Sequence, residues 1–272
     1  MSGTLFVVGT PIGNLGDLTE RARQTLDAVD VVAAEDTRRS GRLLARLGIS
    51  KPLVSFFEGN EERRTAELVE RLGEGDDVAL VTDAGTPGVS DPGFRLVRAC
   101  IDANIPVTAV PGPSAAIAAL VVSGLPTDRF AFEGFLPRRA GERRARLAAL
   151  ADDPRTLVLF EAPSRLASLL TDALAVMGDR RVAVARELTK LHEEVVRGRF
   201  SKVLERFATA APRGEIVVVV EGAPPPSRDP AGALDEARGL VRGGARKRDA
   251  AADAARRHGV SVNEVYRALL EP

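Results

Sequence analysis

Residues 81–93, VTDAGTPGVSDPG, gather the side chains best suited to a small-molecule site. Three Gly allow backbone shapes and close ligand approach that other residues forbid, and two Pro stiffen the chain. The stretch exceeds a plain connector of two to six residues, so it reads as a binding loop. Asp83 and Asp91 are expected to order this loop through Asx-type bonds and to take no part in chemistry. A second candidate comes from scarcity. Lys occurs only at 51, 190, 202 and 247, so Arg supplies 34 of the 38 basic residues. Arg does not deprotonate in proteins, whereas a buried Lys can. Lys190, in RELTKLHEE, is therefore the candidate base, with a surface or phosphate-contacting Lys as the alternative. His192 nearby reads as a loop or packing residue. Asp36 and Thr37 follow an apolar run and fit a helix N-cap. Arg38 could grip a phosphate bidentately, and Glu58 could line the same mouth.

These residues need a scaffold, and the apolar runs describe one. Strands are expected at 4–8, 31–34, 78–82, 106–110, 130–135, 156–160, 182–185, 194–199 and 216–220. Helix-like runs alternate with them, including Phe94 to Ile101, Ala115–Val122, Glu142–Leu150, Ser164–Val176 and Val203–Ala208. Such alternation predicts an α/β fold with a largely parallel sheet in its first half. Runs such as VALVT and IVVVV suit sheets covered on both faces.

With 272 residues, 44% apolar and 28% charged, the chain can bury a real core and has room for about two domains. We read an N-terminal α/β domain over 1–115, a second α/β domain over 116–223, a Pro-rich linker at 224–232 and a helical module at 233–272. Ser261 and Glu264 form a capping box for the last helix. The module resembles a helix-turn-helix unit. Arg246, Lys247 and Arg248 help make it basic, as a solvated face or a phosphate-contacting surface would be. The formal net charge is zero, so any nucleic-acid partner must meet such a local patch.

The composition also narrows the setting. One cysteine, Cys100, allows no internal disulfide and fits a reducing compartment. No signal peptide is visible, and Ala115–Val122 is too short to span a bilayer. The expectation is a cytoplasmic protein without a membrane partner. One Cys and two distant His give no metal spacing, and there is no P-loop.

Four Gly- or Pro-rich loops follow strands: GTPIGNLGD from Gly9, the 81–93 loop, PGPS from Pro111, and FEAPSR from Phe160. Together they suggest a cleft lined from two domains, at strand C-termini where open α/β sheets bind ligands. A dinucleotide fold is the rival for the first loop, with Glu35 and Asp36 at a suitable distance. Against it, the Gly spacing is not G-x-G-x-x-G, and Pro11 removes an N–H that a pyrophosphate would need.

GTPIGNLGD, EDTRRSGRLL, VTDAGTPGVSDPG, VPGPSA, FEGFLPR, FEAPSR and RELTKLHEEVVRG, in that order, resemble the tetrapyrrole methylase superfamily. Within it they resemble the branch that methylates a cytidine 2′-hydroxyl in bacterial small-subunit (16S) ribosomal RNA. The resemblance runs from residue 5 to 222. It implies S-adenosylmethionine as methyl donor, held between two α/β domains, and a homodimer. By motif it implies cofactor contacts at Pro11, Ile12, Gly85, Thr86, Pro87, Val89, Ser114, Ala115, Phe160, Glu161 and Leu188. For that reaction Lys190, Asp36 and Arg38 are the catalytic candidates, because a weak ribose nucleophile needs a base or a cation that favours the alkoxide. Arg138, Arg139, Arg246, Lys247 and Arg248 are the RNA-binding candidates. Two alternatives stand: a tetrapyrrole methylase using the same cleft, and a non-catalytic RNA-binding protein.

Overall fold

A computed structural model describes residues 2–208, 212–225 and 228–271. The chain forms two compact units. One runs to Ala151 and resumes over Arg155–Glu221, and the other comprises Asp152–Pro154 and the residues from Gly222 onward.

The larger unit contains two five-stranded sheets. In the first, β1 (Leu5–Val8), β2 (Val31–Ala34), β3 (Leu53–Ser55), β4 (Val78–Val81) and β5 (Val107–Val110) lie in the order β3-β2-β4-β1-β5. All pairs are parallel. Every residue of β2 and β4 is buried. Helices α1 (Glu20–Ala28), α2 (Thr37–Arg46), α3 (Glu61–Glu74) and α4 (Phe94–Asp102) connect these strands. Leu68, Leu72, Leu96 and Cys100 belong to one apolar cluster with the sheet, and Ala22, Leu26 and Leu44 to another. This two-sided burial is why these strands read as unbroken apolar runs. The short β3 was not among the expected strands.

Helix α5 (Ala115–Ser123) begins the second half. Its Ala116, Ala119 and Leu120 cluster with Val158, Ala183, Ala185, Val217 and Val219 of the second sheet. That sheet has the order β6 (Phe130–Phe135), β7 (Thr156–Glu161), β10 (Ile216–Val220), β8 (Arg181–Arg186), β9 (Glu194–Arg199). Only β6 and β7 pair in parallel; β10 runs antiparallel to both its neighbours. Helices α6 (Ala140–Leu150), α7 (Leu166–Met177) and α8 (Phe200–Phe207) contribute Leu147, Leu169, Leu170 and Val203 to the cluster on its other face. Beneath them Arg143 and Asp172 form a buried pair at 2.6 Å.

The smaller unit has three helices, α9 (Pro230–Arg242), α10 (Lys247–Arg257) and α11 (Val262–Leu270). Helix α9 starts inside the stretch read as a linker: Asp229 caps it, accepting from Gly232 N, and Pro230 is its first residue. Pro226 and Ser227 of that stretch lie outside the described residues. Ser261 caps α11 by accepting from Glu264 N at 3.1 Å, as the capping-box spacing predicts. No helix among the described residues is long and apolar enough to cross a membrane, and no described group of His, Cys, Asp or Glu could hold a metal ion.

Candidate active site

Three loops leave the C-terminal ends of the first sheet and lock together through their backbones. Thr10 and Gly85 exchange hydrogen bonds at 2.8 and 3.1 Å, joining the first loop to the 81–93 loop. The Thr10 hydroxyl also donates to Thr82 O at 3.1 Å. Gly9 packs on Gly112 so closely that a Cβ on Gly112 would lie 2.8 Å from the Gly9 carbonyl carbon. Only glycine fits at such a contact. In the 81–93 loop Ser90 holds a left-handed backbone, φ 62°, unusual for a residue with a side chain. Gly93 N donates to Glu61 at 3.1 Å, anchoring the end of this loop to α3.

These loops form one side of a cavity of about 390 Å³, and the second sheet forms the other. Ile12, Gly85, Thr86, Val89, Ser114, Ala115, Phe160 and Glu161 line it. Pro11, Pro87 and Leu188 do not line it, unlike the expectation from motif. Pro87 is buried, and Leu188 packs with Ile12 and α5 in a common apolar cluster. Leu188 thus supports the wall from behind. The sequence reading missed Phe135 and the Gly214–Val217 segment. Strand pairing brings them in, since Phe135 lies beside Phe160 and Ile216 beside Glu161. Phe132, Phe135 and Phe160 form an edge-to-face aromatic group, with centroids 4.9 and 5.6 Å apart.

The polar wall is acidic. Glu35, Asp83, Asp91, Glu161 and Glu215 all reach the cavity. Glu161 accepts from Ala162 N at 2.8 Å and from Arg165 at 3.1 Å. Burial nevertheless pushes its carboxyl above the usual range, with these partners opposing the rise. Asp83 pairs with Arg39 at 3.1 Å. Its pKa is also raised, first by burial and then by the neighbouring Glu35 charge. Its buried Oδ1 has no hydrogen-bond partner. Glu35 accepts from the Thr82 hydroxyl at 2.6 Å and from Asp83 N at 3.3 Å. Asp91 is pushed up to about 6, chiefly by burial; a Thr82 hydrogen bond opposes the rise, and the Glu35 and Asp83 charges add to it.

The expected catalytic residues stand elsewhere. Lys190 Nζ donates to Glu187 at 2.9 Å and to Glu215 at 3.1 Å. Burial alone would lower its pKa, but the two carboxylates outweigh it and the net shift is upward. A base needs a free amine, so this geometry does not fit the expectation for Lys190; it is a cation that braces the wall. Its stem lies against Gly13, where a Cβ would come within 2.5 Å of Lys190 Cγ. Asp36 is the N-cap of α2, accepting from Arg38 N at 2.8 Å and pairing with the Arg38 guanidinium at 2.9 Å. The Arg38 hydrogen bonds hold its carboxyl far below the usual range. Asp36 with Arg38, Arg39 and Arg42 lines a separate open recess. Arg39 links that recess to the cavity through Asp83. Arg138 and Arg139 are exposed just beyond Phe135. Glu58 and His192 are exposed and do not line the cavity.

Residues 4–204 match the family of Tetrapyrrole (Corrin/Porphyrin) Methylases. The chain belongs to that family. Among its relatives, the "Ribosomal RNA small subunit methyltransferase I" of Synechocystis sp. is 46% identical across 99% of this chain and 98% of its own length. That of Thermotoga maritima is 51% identical across 81% of this chain and 99% of its own length. About a fifth of this methylase-family chain therefore has no counterpart in the Thermotoga relative, roughly the share held by residues 222–272. Among solved structures, the uroporphyrin-III-C-methyltransferase of Thermus thermophilus aligns with TM-score 0.56 and 27% identity over 80% of this chain and 94% of its own. A diphthine synthase aligns with TM-score 0.61 at 16% identity over 81% of this chain and 90% of its own, which extends the likeness of fold.

Proposed function

We propose that this chain transfers a methyl group from S-adenosylmethionine to the ribose 2′-hydroxyl of a cytidine in small-subunit (16S) ribosomal RNA. The observation that carries this reading is the pairing of near-full-length identity to ribosomal RNA methyltransferases with a preformed cavity at the strand ends. The residues present fit the donor. An aromatic group and apolar walls suit a nucleoside, while a wall of carboxylates with an orphaned buried oxygen suits a cation. When bound, the donor supplies an activated methyl group on a positively charged sulfur. The protein's task is then to align the acceptor oxygen and take its proton.

Ile12, Gly85, Thr86, Val89, Ser114, Ala115, Phe160 and Glu161 would hold the donor. Arg38, Arg39 and Arg42 beside the cavity, with Arg138 and Arg139, would bind phosphates of the acceptor strand. In the smaller unit Arg246, Lys247 and Arg248 are exposed at the start of α10, with no ion pair among the described residues. A helix start carries positive partial charge and favours acids, and Arg246, Lys247 and Arg248 outnumber the one acid of the first turn, Asp249, so a further anion is favoured there. An RNA phosphate would supply that anion. The domain division at 115/116 remains part of this reading, with the donor bound between the halves.

A tetrapyrrole acceptor is the weaker reading, because the uroporphyrin methyltransferase shares only 27% identity. We also propose that the enzyme acts in the cytoplasm as a homodimer. Exposed apolar side chains on α5, Ile117, Val121 and Val122, offer a face for self-association. The deciding experiment is mass spectrometry of 16S ribosomal RNA from cells with and without the protein. Loss of one ribose methyl on a cytidine supports the reading, and an unchanged methylation pattern refutes it. Light scattering of the purified protein tests the dimer.

A further inference from the structure

The reaction releases a proton from the acceptor hydroxyl, and Lys190 is not free to take it. The acids around the cavity differ sharply in how they are engaged. Glu161 is held by Arg165 and Ala162 N, Glu215 by Lys190, and Asp83 by Arg39. Glu35 receives the Thr82 hydroxyl and Asp83 N. Asp91 alone among them has neither an ion pair nor a backbone N–H partner among the described residues.

Its placement is also unusual. Ser90, the residue before it, carries the left-handed backbone. The Ser90 hydroxyl sits 3.2 Å from where a Gly134 Cβ would stand, so the turn fits against β6. Gly88 N donates to Pro92 O at 3.1 Å, closing the turn around Asp91. Backbone strain maintained beside a cavity is a mark of a functional position. We infer that Asp91 is the proton acceptor for the acceptor hydroxyl. This rests on the methyltransferase reading above.

The step balances. A bond forms between the acceptor oxygen and the methyl carbon, and the carbon–sulfur bond breaks with its electron pair left on sulfur. The hydroxyl proton passes to an Asp91 carboxylate oxygen and then to solvent. Burial and the Glu35 and Asp83 charges bring Asp91 to about 6, near the range where a base works best at neutral pH. The other charged groups facing this region are Arg39 on α2, Glu61 on α3, Glu161 on β7 and Glu215 before β10.

The two neighbours act on Asp91 with opposite sign, which gives a test. Glu35 raises its pKa by like charge, and the neighbouring Thr82 hydroxyl lowers it. In the unliganded protein, carboxyl carbon NMR should show Asp91 titrating near 6, lower in Glu35→Gln and higher in Thr82→Val. The acid limb of the rRNA methylation rate should move the same way in each variant. Asp91→Asn should lose about 10²–10⁴ in kcat at saturating donor and lack that limb. Asp91→Glu should recover part of the rate.

Asp91→Asn with wild-type kcat and an unmoved acid limb overturns the inference. So do variants of Glu35 and Thr82 that shift the Asp91 titration in the same direction. A wild-type chain that leaves the RNA unmethylated fails the functional reading and this inference with it. Wild-type methylation alongside an unaffected Asp91→Asn fails this inference alone.

Discussion

Replacing Gly112 with Ala tests whether the cavity depends on backbone contact between loops. The new Cβ would lie 2.8 Å from Gly9 C and 2.9 Å from Gly9 Cα and O. Ordinary contact begins at 3.4 Å, so the loops must part by about 0.6 Å. All three clashing atoms are backbone, so no side chain can swing aside. The Gly9 N–H to Val110 O bond, now 3.0 Å, lies directly on the displaced segment. The Thr10–Gly85 bridge, one residue on, must move or stretch with it. Overpacking costs about 1–3 kcal/mol, and a weakened hydrogen bond adds about 1 kcal/mol. The expected loss of stability is about 2–4 kcal/mol, measured by urea unfolding with the slope unchanged. Donor affinity by calorimetry should fall by at least tenfold, because the moved loop carries Ile12 and pulls on Gly85. A variant within about 0.5 kcal/mol of wild type, with full donor affinity, would refute the close-contact reasoning.

Thr86→Arg should abolish donor binding by filling the cavity, and unchanged affinity by calorimetry would remove the 81–93 loop from the site. Lys190→Met should cost about 0.5–1.5 kcal/mol of stability by removing one of the two hydrogen bonds to Glu187, which keeps the Glu215 N–H, while the acid limb of the pH–rate profile stays in place; loss of that limb would support Lys190 as the base. Arg143→Met should destabilise by about 1–3 kcal/mol, because Asp172 in the core loses one of its two guanidinium partners and keeps only Arg144. The Asp172 carboxyl is held below its usual 3.8: burial works against this, but hydrogen bonds from Arg144 and Arg143 prevail. Its contribution is therefore complete above pH 3.8 and is lost as pH falls through the lower folded value. Denaturation midpoints of Asp172→Asn should lack that acid-side decline. Removing residues 222–272 should weaken RNA binding and flatten its salt dependence, with donor affinity unchanged; an intact RNA affinity would make the basic unit unnecessary for substrate.

Much of the first sheet was legible because β2 and β4 are buried on both faces and leave unbroken Val and Ala runs. Leu53–Ser55 escaped because three half-buried residues at a sheet edge give no period to detect. Helix α9 was legible in principle: Asp229 before Pro230 is a start signal, masked by the Pro-rich run preceding it. At the site, the family resemblance pointed to Ile12, Gly85 and Ser114, each of which lies just past its own strand and lines the cavity. It could not find Phe135 or Ile216, which meet the cavity only through β6–β7 and β10–β7 pairing between strands distant in the chain. For Lys190, rarity of residue type says nothing about the carboxylates, Glu187 and Glu215, that folding places beside it. Asp91 was expected only to order its loop, since nothing local to SDPG reveals that folding places it on the cavity wall with Glu35 and Asp83.

The smaller unit has a core built mainly of methyl groups: Ala233, Ala237, Ala251, Ala254 and Ala255 are buried, with Val265 the one larger side chain fully enclosed among the described residues of that cluster. Small side chains let helices approach closely but remove little apolar surface from water. A three-helix unit of this size gains only a few kcal/mol even with a richer core. It therefore stands near its folding threshold, helped by His258, which meets Glu236 at 2.8 Å and Asp229 at 3.4 Å. A ligand that binds only the folded form raises its stability by mass action. On the proposed reading, affinity of this basic surface for RNA is set in part by residues that never touch RNA. If that unit binds RNA as proposed, enlarging or emptying the alanine layer would tune how tightly it holds RNA while every cation stays in place.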